Sequence, residues 1–227
     1  DRYIDALIKE IHIVGSQHTG RKKVTSLYFG GGTPALAANR IKDIVDALND
    51  HFIITEGIGL ELHPDNVNIE VLQELKNAGV TKISIGIQSF CDKYQKILGR
   101  KEIDTTAMMS ALAAVPFETV SMDFIFALPG QTYDDLKSDI DKAFSLGANH
   151  IAIYPFIDFT FTESPVAAMP KKEKRELLDA ITQYCLGKGY SRSSIWTFSS
   201  EPDANYSSMT RYNFLGFGCS ATSLFKG

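Results

Sequence analysis

The amino-acid sequence predicts an α/β fold built on a parallel sheet. Short apolar runs alternate with helix-like segments along the chain, and each run is followed by a helix or a long connection. Successive parallel strands need such crossovers, which are right-handed in nearly all proteins. Five runs of this type fit either a barrel or an open, doubly wound sheet. In both architectures, ligands bind at the carboxyl ends of the strands.

The first half of the chain shows the helical and the strand pattern in turn. Apolar residues recur every three or four positions over 2–14, which indicates a helix, and a polar loop follows over 15–23. Apolar runs bounded by turn residues indicate strands, and Gly79 ends a helix at a C′-type position. In chain order, the predicted elements are a helix over 2–14, a strand over 25–29, a helix around 41–48, a strand over 58–62, a helix over 69–78 and a strand over 82–87.

The second half continues this alternation. Pro116 cannot continue a helix, so the helical segment before it ends there, and Gly147 ends the next helix. The stretch 214–224 is interrupted by glycines and follows neither pattern. In chain order, the predicted elements are a helix over 105–114, a strand over 120–127, a helix over 136–144, a strand over 150–155, a helix over 171–186 and a strand over 192–198.

Composition limits the class of protein. The 227 residues are 44% hydrophobic and 22% charged, with a net charge of −4, which suits one ordinary domain or slightly more. This mild acidity leaves no electrostatic footprint for nucleic acid, and no apolar run approaches the ~20 residues that span a bilayer. We therefore expect neither nucleic acid nor a membrane as a partner. The odd, widely spaced cysteines, Cys91, Cys185 and Cys219, argue against a disulfide framework and favour a reducing, cytoplasmic compartment.

The most informative segment is 28–34, where a buried strand ends in three glycines followed by Thr33. Glycine backbone adopts positive φ angles readily and can come close to a ligand, so Gly31 and Gly32 could form a cradle. Most glycine turns only reverse the chain, and this segment alone is a weak signal. It gains weight because other predicted strands also end in polar residues.

These polar residues are Glu61, Gln88 and Asp123, with Arg100 shortly after the third strand. Each has an ordinary alternative: a helix cap or surface pair for Glu61, a loop contact for Gln88, a solvated charge for Arg100. Asp123 is harder to explain in this way, because an unpaired charge within an apolar strand costs several kcal/mol. Tyr154, at the end of the fifth strand, is interpreted as a core residue.

A zwitterionic ligand that carries a ribose would use this set of groups. Arg100 can bind a carboxylate through two parallel hydrogen bonds. The glycine backbone and Glu61 can accept an ammonium group, and Gln88 and Asp123 can bind vicinal hydroxyls. A sugar phosphate, with Arg100 on the phosphate, fits the same residues.

Four motifs together resemble the radical S-adenosylmethionine (radical SAM) superfamily, over nearly the whole chain. They are most similar to the branch that contains the oxygen-independent coproporphyrinogen III oxidase, its heme-chaperone relative and anaerobic heme-degrading enzymes. The motifs are YFGGGTP at 28–34, IGIQSF at 85–90, LGR at 98–100 and MDFIFALPGQT at 122–132.

The resemblance implies a partial (β/α)6 TIM-like barrel over residues 1–165 that lacks its first strand. A C-terminal α+β extension, itself incomplete, would cover residues 166–227. No catalytic residue and no metal ligand is expected within the given sequence. The positions that match the family's S-adenosylmethionine site are Gly31, Gly32 and Thr33 for the methionine part, Glu61 and Arg100 for its amino and carboxylate groups, and Gln88 and Asp123 for the ribose.

The resemblance also implies a reaction for the intact protein. A reduced [4Fe-4S] cluster would split S-adenosylmethionine, and the resulting 5′-deoxyadenosyl radical would take hydrogen from a tetrapyrrole such as a porphyrinogen. A reductant protein such as flavodoxin or ferredoxin would be a partner. The family's CxxxCxxC motif, which binds the cluster, is absent from the sequence, so we expect these ligands upstream of it and an inactive chain as given. A heme-binding chaperone of the same family and a cluster-free relic barrel stay open as alternatives.

Overall fold

The structure is a computed structural model that describes residues 2–157, 169–201 and 213–225. Two short 3₁₀ helices span Pro34–Ala37 and Pro64–Asn66. The α-helices are α1 (Arg2–Gly15), α2 (Ala38–Asn49), α3 (Ile69–Asn77), α4 (Asp92–Ile97), α5 (Thr105–Ala114), α6 (Tyr133–Ser145) and α7 (Lys171–Gly187). The strands are β1 (Lys22–Val24), β2 (Leu27–Phe29), β3 (Phe52–Ile54), β4 (Ile58–Leu62), β5 (Lys82–Gln88), β6 (Thr119–Phe126), β7 (His150–Pro155), β8 (Ser191–Arg192) and β9 (Thr197–Ser199).

Seven of these strands form one sheet in the order β2-β4-β5-β6-β7-β9-β8. The first five are mutually parallel, as the sequence predicts. Each crossover moves to the next strand in the same direction, as in a barrel, whereas a doubly wound sheet reverses direction at a switch point. The topology therefore decides between the two architectures in favour of barrel-type winding.

The C-terminal strands extend the same sheet rather than starting a new one. Strand β9 pairs antiparallel with both β7 and β8. The prediction of one continuous strand over 192–198 is wrong, because Ser193 Oγ and Thr197 Oγ1 bond to each other at 2.8 Å and Arg192 donates to two carbonyls of the intervening turn. Such local bonds compete with a regular strand. The expected domain boundary at 165 lies outside the described residues.

Four further elements differ from the sequence predictions. Strands β1 and β3 pair with each other in a separate parallel ribbon, and β1 falls at the end of the predicted polar loop. The strand predicted from residue 25 begins at Leu27. Helix α4 was not predicted. Elements of three to six residues are too short to display a period, so hydrophobic patterning misses them.

The core lies between the parallel strands and the helices that cover them. Residues such as Leu60, Ile83, Ile85 and Phe124 are fully buried and belong to the central strands β4 to β6. Burial of each such side chain contributes roughly 1.5–3 kcal/mol. None of the helices in the described ranges is long and apolar enough to cross a membrane.

Candidate functional site

A cavity of about 250 Å³ lies at the carboxyl ends of β2, β4, β5 and β6. Parallel strands bring their carboxyl ends to one edge of the sheet, so residues distant in sequence meet there. All seven residues singled out from the sequence line this cavity: Gly31, Gly32, Thr33, Glu61, Gln88, Arg100 and Asp123. The sequence analysis did not single out the remaining lining residues, which are Leu62, His63, Ser84 and Gly86.

The Glu61 carboxylate is fixed from both sides by residues of the glycine segment. Tyr28 Oη donates to Glu61 Oε1 at 2.7 Å, and the Gly31 amide donates to Oε2 at 3.1 Å. Gly31 has a φ of 110°, which L side chains rarely adopt, so a glycine is required here. A Cβ on Gly30 would lie 2.9 Å from the Tyr28 ring. The tight turn therefore orients the carboxylate, and the role of Tyr28 could not be read from the sequence.

Asp123 is stabilised by two serine hydroxyls within the sheet. Ser84 Oγ donates to Oδ2 at 2.8 Å, and Ser121 Oγ donates to Oδ1 at 3.2 Å and lies 2.9 Å from His150 Nδ1. Burial raises the pKa of Asp123 to about 6, and the nearby Glu61 charge adds to this increase, while the serine bonds oppose it. The carboxylate is therefore ionised at neutral pH but at a cost. The sequence analysis did not identify these two serines.

Gln88 has an unusual backbone conformation at the end of β5. Its φ is 71°, and the pairing of β5 with β6 shifts register between Gly86 and Gln88. A bulge of this kind re-aims a side chain, and a non-glycine residue at positive φ is strained. The side-chain amide of Gln88 lines the cavity. In the described part of the chain, it makes no hydrogen bond to protein. It can thus offer a ligand both a donor and an acceptor.

Arg100 reaches the cavity because of the helix ending that precedes it. The Gly99 φ of 68° and the bond from the Arg100 amide to the Gln95 carbonyl, at 2.8 Å, form a Schellman-type C-cap of α4. The guanidinium Nη1 donates to the Gly86 carbonyl at 2.6 Å. Burial lowers the pKa of Arg100, yet a guanidinium remains protonated at neutral pH. Arg100 therefore supplies a partly buried cation to the cavity that the Glu61 and Asp123 carboxylates also line.

Tyr154 lies at the carboxyl end of β7 and corrects one interpretation. It is 43% exposed and is not a core residue. Its pKa is raised, first by partial burial and then by the negative charges of Asp123 and Glu61. Tyr154 does not line the cavity but lies close enough to Asp123 and Glu61 to be affected by their charges.

Metal-binding groups are not assembled in the part of the chain that the structure describes. All three cysteines are free, with Cys185 buried and Cys219 exposed. Within the described residues, no group of three or more His, Cys, Asp or Glu side chains could hold a metal ion. The carboxylates, guanidinium and amide of the cavity suit an organic, charged ligand.

Comparisons with known proteins agree with this chemistry. The family model of the radical SAM superfamily matches residues 4–143. The heme chaperone HemW of Bacillus subtilis is 28% identical over 243 aligned positions, which cover 100% of this chain and 64% of that protein. The oxygen-independent coproporphyrinogen III oxidase of Pseudomonas aeruginosa is 26% identical over 207 positions, which cover 83% of this chain and 44% of that protein. The chain spans less than two thirds of the length of these relatives.

Among solved structures, the coproporphyrinogen III oxidase HemN of Escherichia coli superposes with a TM-score of 0.82. The sequences are 22% identical, and the match covers 99% of this chain and 57% of that one. At this identity the similarity concerns the fold. It confirms the predicted α/β fold and agrees with a partial TIM-like barrel.

Proposed function

The chain belongs to the radical S-adenosylmethionine superfamily, and from this premise we propose that the cavity at the strand ends binds S-adenosylmethionine. One observation carries the proposal: six residues from four separate motifs, together with Glu61, line a single cavity. Its volume of about 250 Å³ is close to the lower end of the range for small-molecule sites, roughly 300–1,000 Å³. The cavity combines two carboxylates, one guanidinium and an amide that has no protein partner in the described residues. This combination fits a zwitterion that carries a ribose.

Each polar group has a defined role in this proposal. Tyr28 and Gly31 orient the Glu61 carboxylate, whose remaining lone pairs accept the ligand's ammonium group. Arg100 uses one guanidinium N–H on Gly86 and has four further N–H donors for the ligand's carboxylate. Gly32 and Thr33 border the methionine part. Two groups of opposite sign thus fix the amino-acid end of the ligand.

The ribose end is proposed to lie between Asp123 and Gln88. The two serine bonds leave lone pairs on the Asp123 carboxylate, and these can accept a ribose hydroxyl. The Gln88 amide can donate to one hydroxyl and accept from its neighbour. Because Asp123 and Gln88 together bond to two neighbouring hydroxyls, the site can distinguish a vicinal diol from a single hydroxyl.

A [4Fe-4S] cluster is the second proposed cofactor, held by cysteines that the given sequence does not contain. When bound, the two cofactors together supply hydrogen abstraction by a carbon radical. The residues described above bind and orient S-adenosylmethionine and limit its contact with water. A reductant protein such as flavodoxin or ferredoxin would supply the electron.

We propose a tetrapyrrole as the substrate class and an oxidation of the coproporphyrinogen oxidase type as the reaction. Support comes from the relatives named coproporphyrinogen III oxidase and from the fold match to HemN. A heme-binding chaperone is the second candidate, because relatives named heme chaperone HemW align with the whole chain. Both candidates use the same S-adenosylmethionine site and differ in what happens to the tetrapyrrole.

Reductive cleavage of S-adenosylmethionine by the full-length gene product, reconstituted with iron and sulfide, tests both candidates. The oxidase predicts 5′-deoxyadenosine formation that coproporphyrinogen stimulates and that Arg100→Ala suppresses, while Arg175→Ala, on the exposed face of α7, has no effect. The chaperone predicts heme binding without conversion. Absence of both S-adenosylmethionine binding and cleavage would indicate the relic barrel.

A further inference from the structure

A buried glutamine outside the cavity holds the strained end of β5. Gln95, in α4, is 2% exposed, and its Nε2 donates to the carbonyl oxygens of Ile87, at 2.9 Å, and of Ser89. These carbonyls belong to the two neighbours of Gln88. Among the described residues, Gln95 Oε1 has no hydrogen-bond partner. The side chain therefore acts through its two N–H donors.

This contact explains how Gln88 keeps its conformation. A glutamine with a φ of 71° persists only where its surroundings determine the backbone. The Ile87 carbonyl belongs to the peptide plane that precedes Gln88, and the Ser89 carbonyl belongs to the peptide plane after Ser89, so the two bonds hold the backbone on both sides of Gln88. The Gln88 side chain then points into the cavity without the entropic cost of being ordered by the ligand.

Gln95 is also linked to Arg100 through its main chain. The Arg100 amide donates to the Gln95 carbonyl at 2.8 Å, and the Arg100 guanidinium donates to the Gly86 carbonyl at 2.6 Å. A closed circuit therefore runs from Gly86 through Gln88 and Gln95 to Arg100. Gln95 thus contacts the main chain of Arg100 and of both neighbours of Gln88. Gln88 and Arg100 are the residues that the sequence resemblance assigned to opposite ends of the ligand.

We propose that Gln95 is a positioning residue of the cofactor site, which sets the spacing between the Gln88 amide and the Arg100 guanidinium. The inference rests on the proposed function, because the spacing matters only for a ligand that bridges both groups. Removing the side-chain donors releases Gln88 while leaving the main-chain cap of α4 in place. The expected consequence is weaker binding without loss of the fold.

Other titratable groups surround the loop between β5 and α4 and must be considered in a pH experiment. Asp139 accepts from Ser89 Oγ at 2.7 Å and from the Phe90 amide at 2.8 Å, and burial raises its pKa to about 6. Cys91 is the N-cap residue of α4, and Tyr94 in α4 donates to a carboxylate of α6. Each variant must therefore be compared with the wild type at the same pH.

The test uses Gln95→Glu and Gln95→Met in the full-length gene product, with Gln73→Glu as the matched control on the exposed face of α3. A glutamate at position 95 can donate to a carbonyl only when it is protonated, and when ionised it repels both. Calorimetry measures the affinity for S-adenosylhomocysteine between pH 5.5 and pH 8. Hydrogen exchange of the 86–91 segment, measured without ligand, reports independently of binding on the clamp, by which we mean the two bonds from the Gln95 side chain to the Ile87 and Ser89 carbonyls.

For Gln95→Glu, we expect the affinity relative to the wild type to fall about tenfold as the pH rises. A tenfold loss is the effect expected from one lost buried hydrogen bond. Gln95→Met should bind about tenfold more weakly at every pH and exchange faster over 86–91. Gln73→Glu should match the wild type in both measurements.

Each contrary outcome has a separate meaning. Unchanged exchange in both Gln95 variants would overturn the clamp itself. Faster exchange with unchanged affinity would reduce Gln95 to a structural residue and overturn the positioning role. A wild type that does not bind S-adenosylhomocysteine would overturn the proposed function, and the cofactor role of Gln95 with it, even if the exchange data support the clamp.

Discussion

Replacing Asp123 with asparagine should stabilise the protein at neutral pH while weakening its site. Asparagine keeps the volume of the side chain, and both serine hydroxyls can still bond to it because a hydroxyl donates and accepts. The charge disappears, and with it the cost of ionising a buried carboxyl. Sites that hold such charges trade stability for function.

The magnitude follows from the pKa of Asp123. Its value is about 6 in the folded protein, against 3.8 for an ordinary aspartate, and each pH unit of separation corresponds to about 1.4 kcal/mol. Because the folded pKa is raised, the stabilising contribution is present at low pH and is lost as the pH rises through 6. Well above pH 6, the contribution of Asp123 to the free energy of unfolding has fallen by about 3 kcal/mol. About 2 kcal/mol of this decrease occurs between pH 4 and pH 8. The Asp123→Asn variant would not lose this contribution.

Urea denaturation followed by the fluorescence of Trp196 measures the effect. Trp196 is the single tryptophan, and its ring lies 6.0 Å from that of Phe126 in β6, so it reports on the sheet. The free energy of unfolding of Asp123→Asn minus that of the wild type should increase by about 2 kcal/mol from pH 4 to pH 8. Asp179→Asn, on the exposed face of α7, is the control. A difference that is constant with pH, or that decreases, would refute the reasoning.

Three further predictions concern the same site. A Cβ would meet no atom within 4 Å at Gly31 or at Gly32, but only Gly31 has a positive φ. In urea denaturation, Gly31→Ala should therefore destabilise the protein by about 1 kcal/mol, whereas Gly32→Ala should be nearly neutral. Tyr28→Phe should cost about 1 kcal/mol of S-adenosylhomocysteine binding free energy by releasing Glu61, and an unchanged calorimetric affinity would contradict this. Affinity should also decline below pH 6 in the wild type but not in Asp123→Asn, because a protonated Asp123 has lost its anionic acceptor; parallel profiles would show that another group titrates.

The sequence predicted the parallel strands and the residues that gather at their ends. Long apolar runs such as β6 carry a strong signal, and the carboxyl-end rule then assigns Glu61, Gln88 and Asp123 to one edge of the sheet. All of them line the observed cavity. Their proposed roles in binding still await measurement.

The supporting contacts could not be predicted, because they depend on distances between elements. Nothing local in the sequence pairs Tyr28 with Glu61, 33 residues apart, or Ser84 with Asp123, 39 residues apart. The bulge at Gln88 arises from pairing between β5 and β6, not from a turn motif. Tertiary contacts of this kind position the site residues. The sequence pattern identifies these residues but not the contacts that hold them in place.

Binding of S-adenosylhomocysteine to the full-length gene product, with and without the Asp123→Ala and Arg100→Ala substitutions, tests the central claim most directly. The two residues are proposed to contact opposite ends of the ligand. Calorimetry should therefore show one saturable site that either substitution weakens at least tenfold, consistent with ~1–3 kcal/mol per lost charged contact. Adenosine alone should be sensitive to Asp123→Ala but not to Arg100→Ala. Absence of binding, or binding that neither substitution changes, would contradict the account.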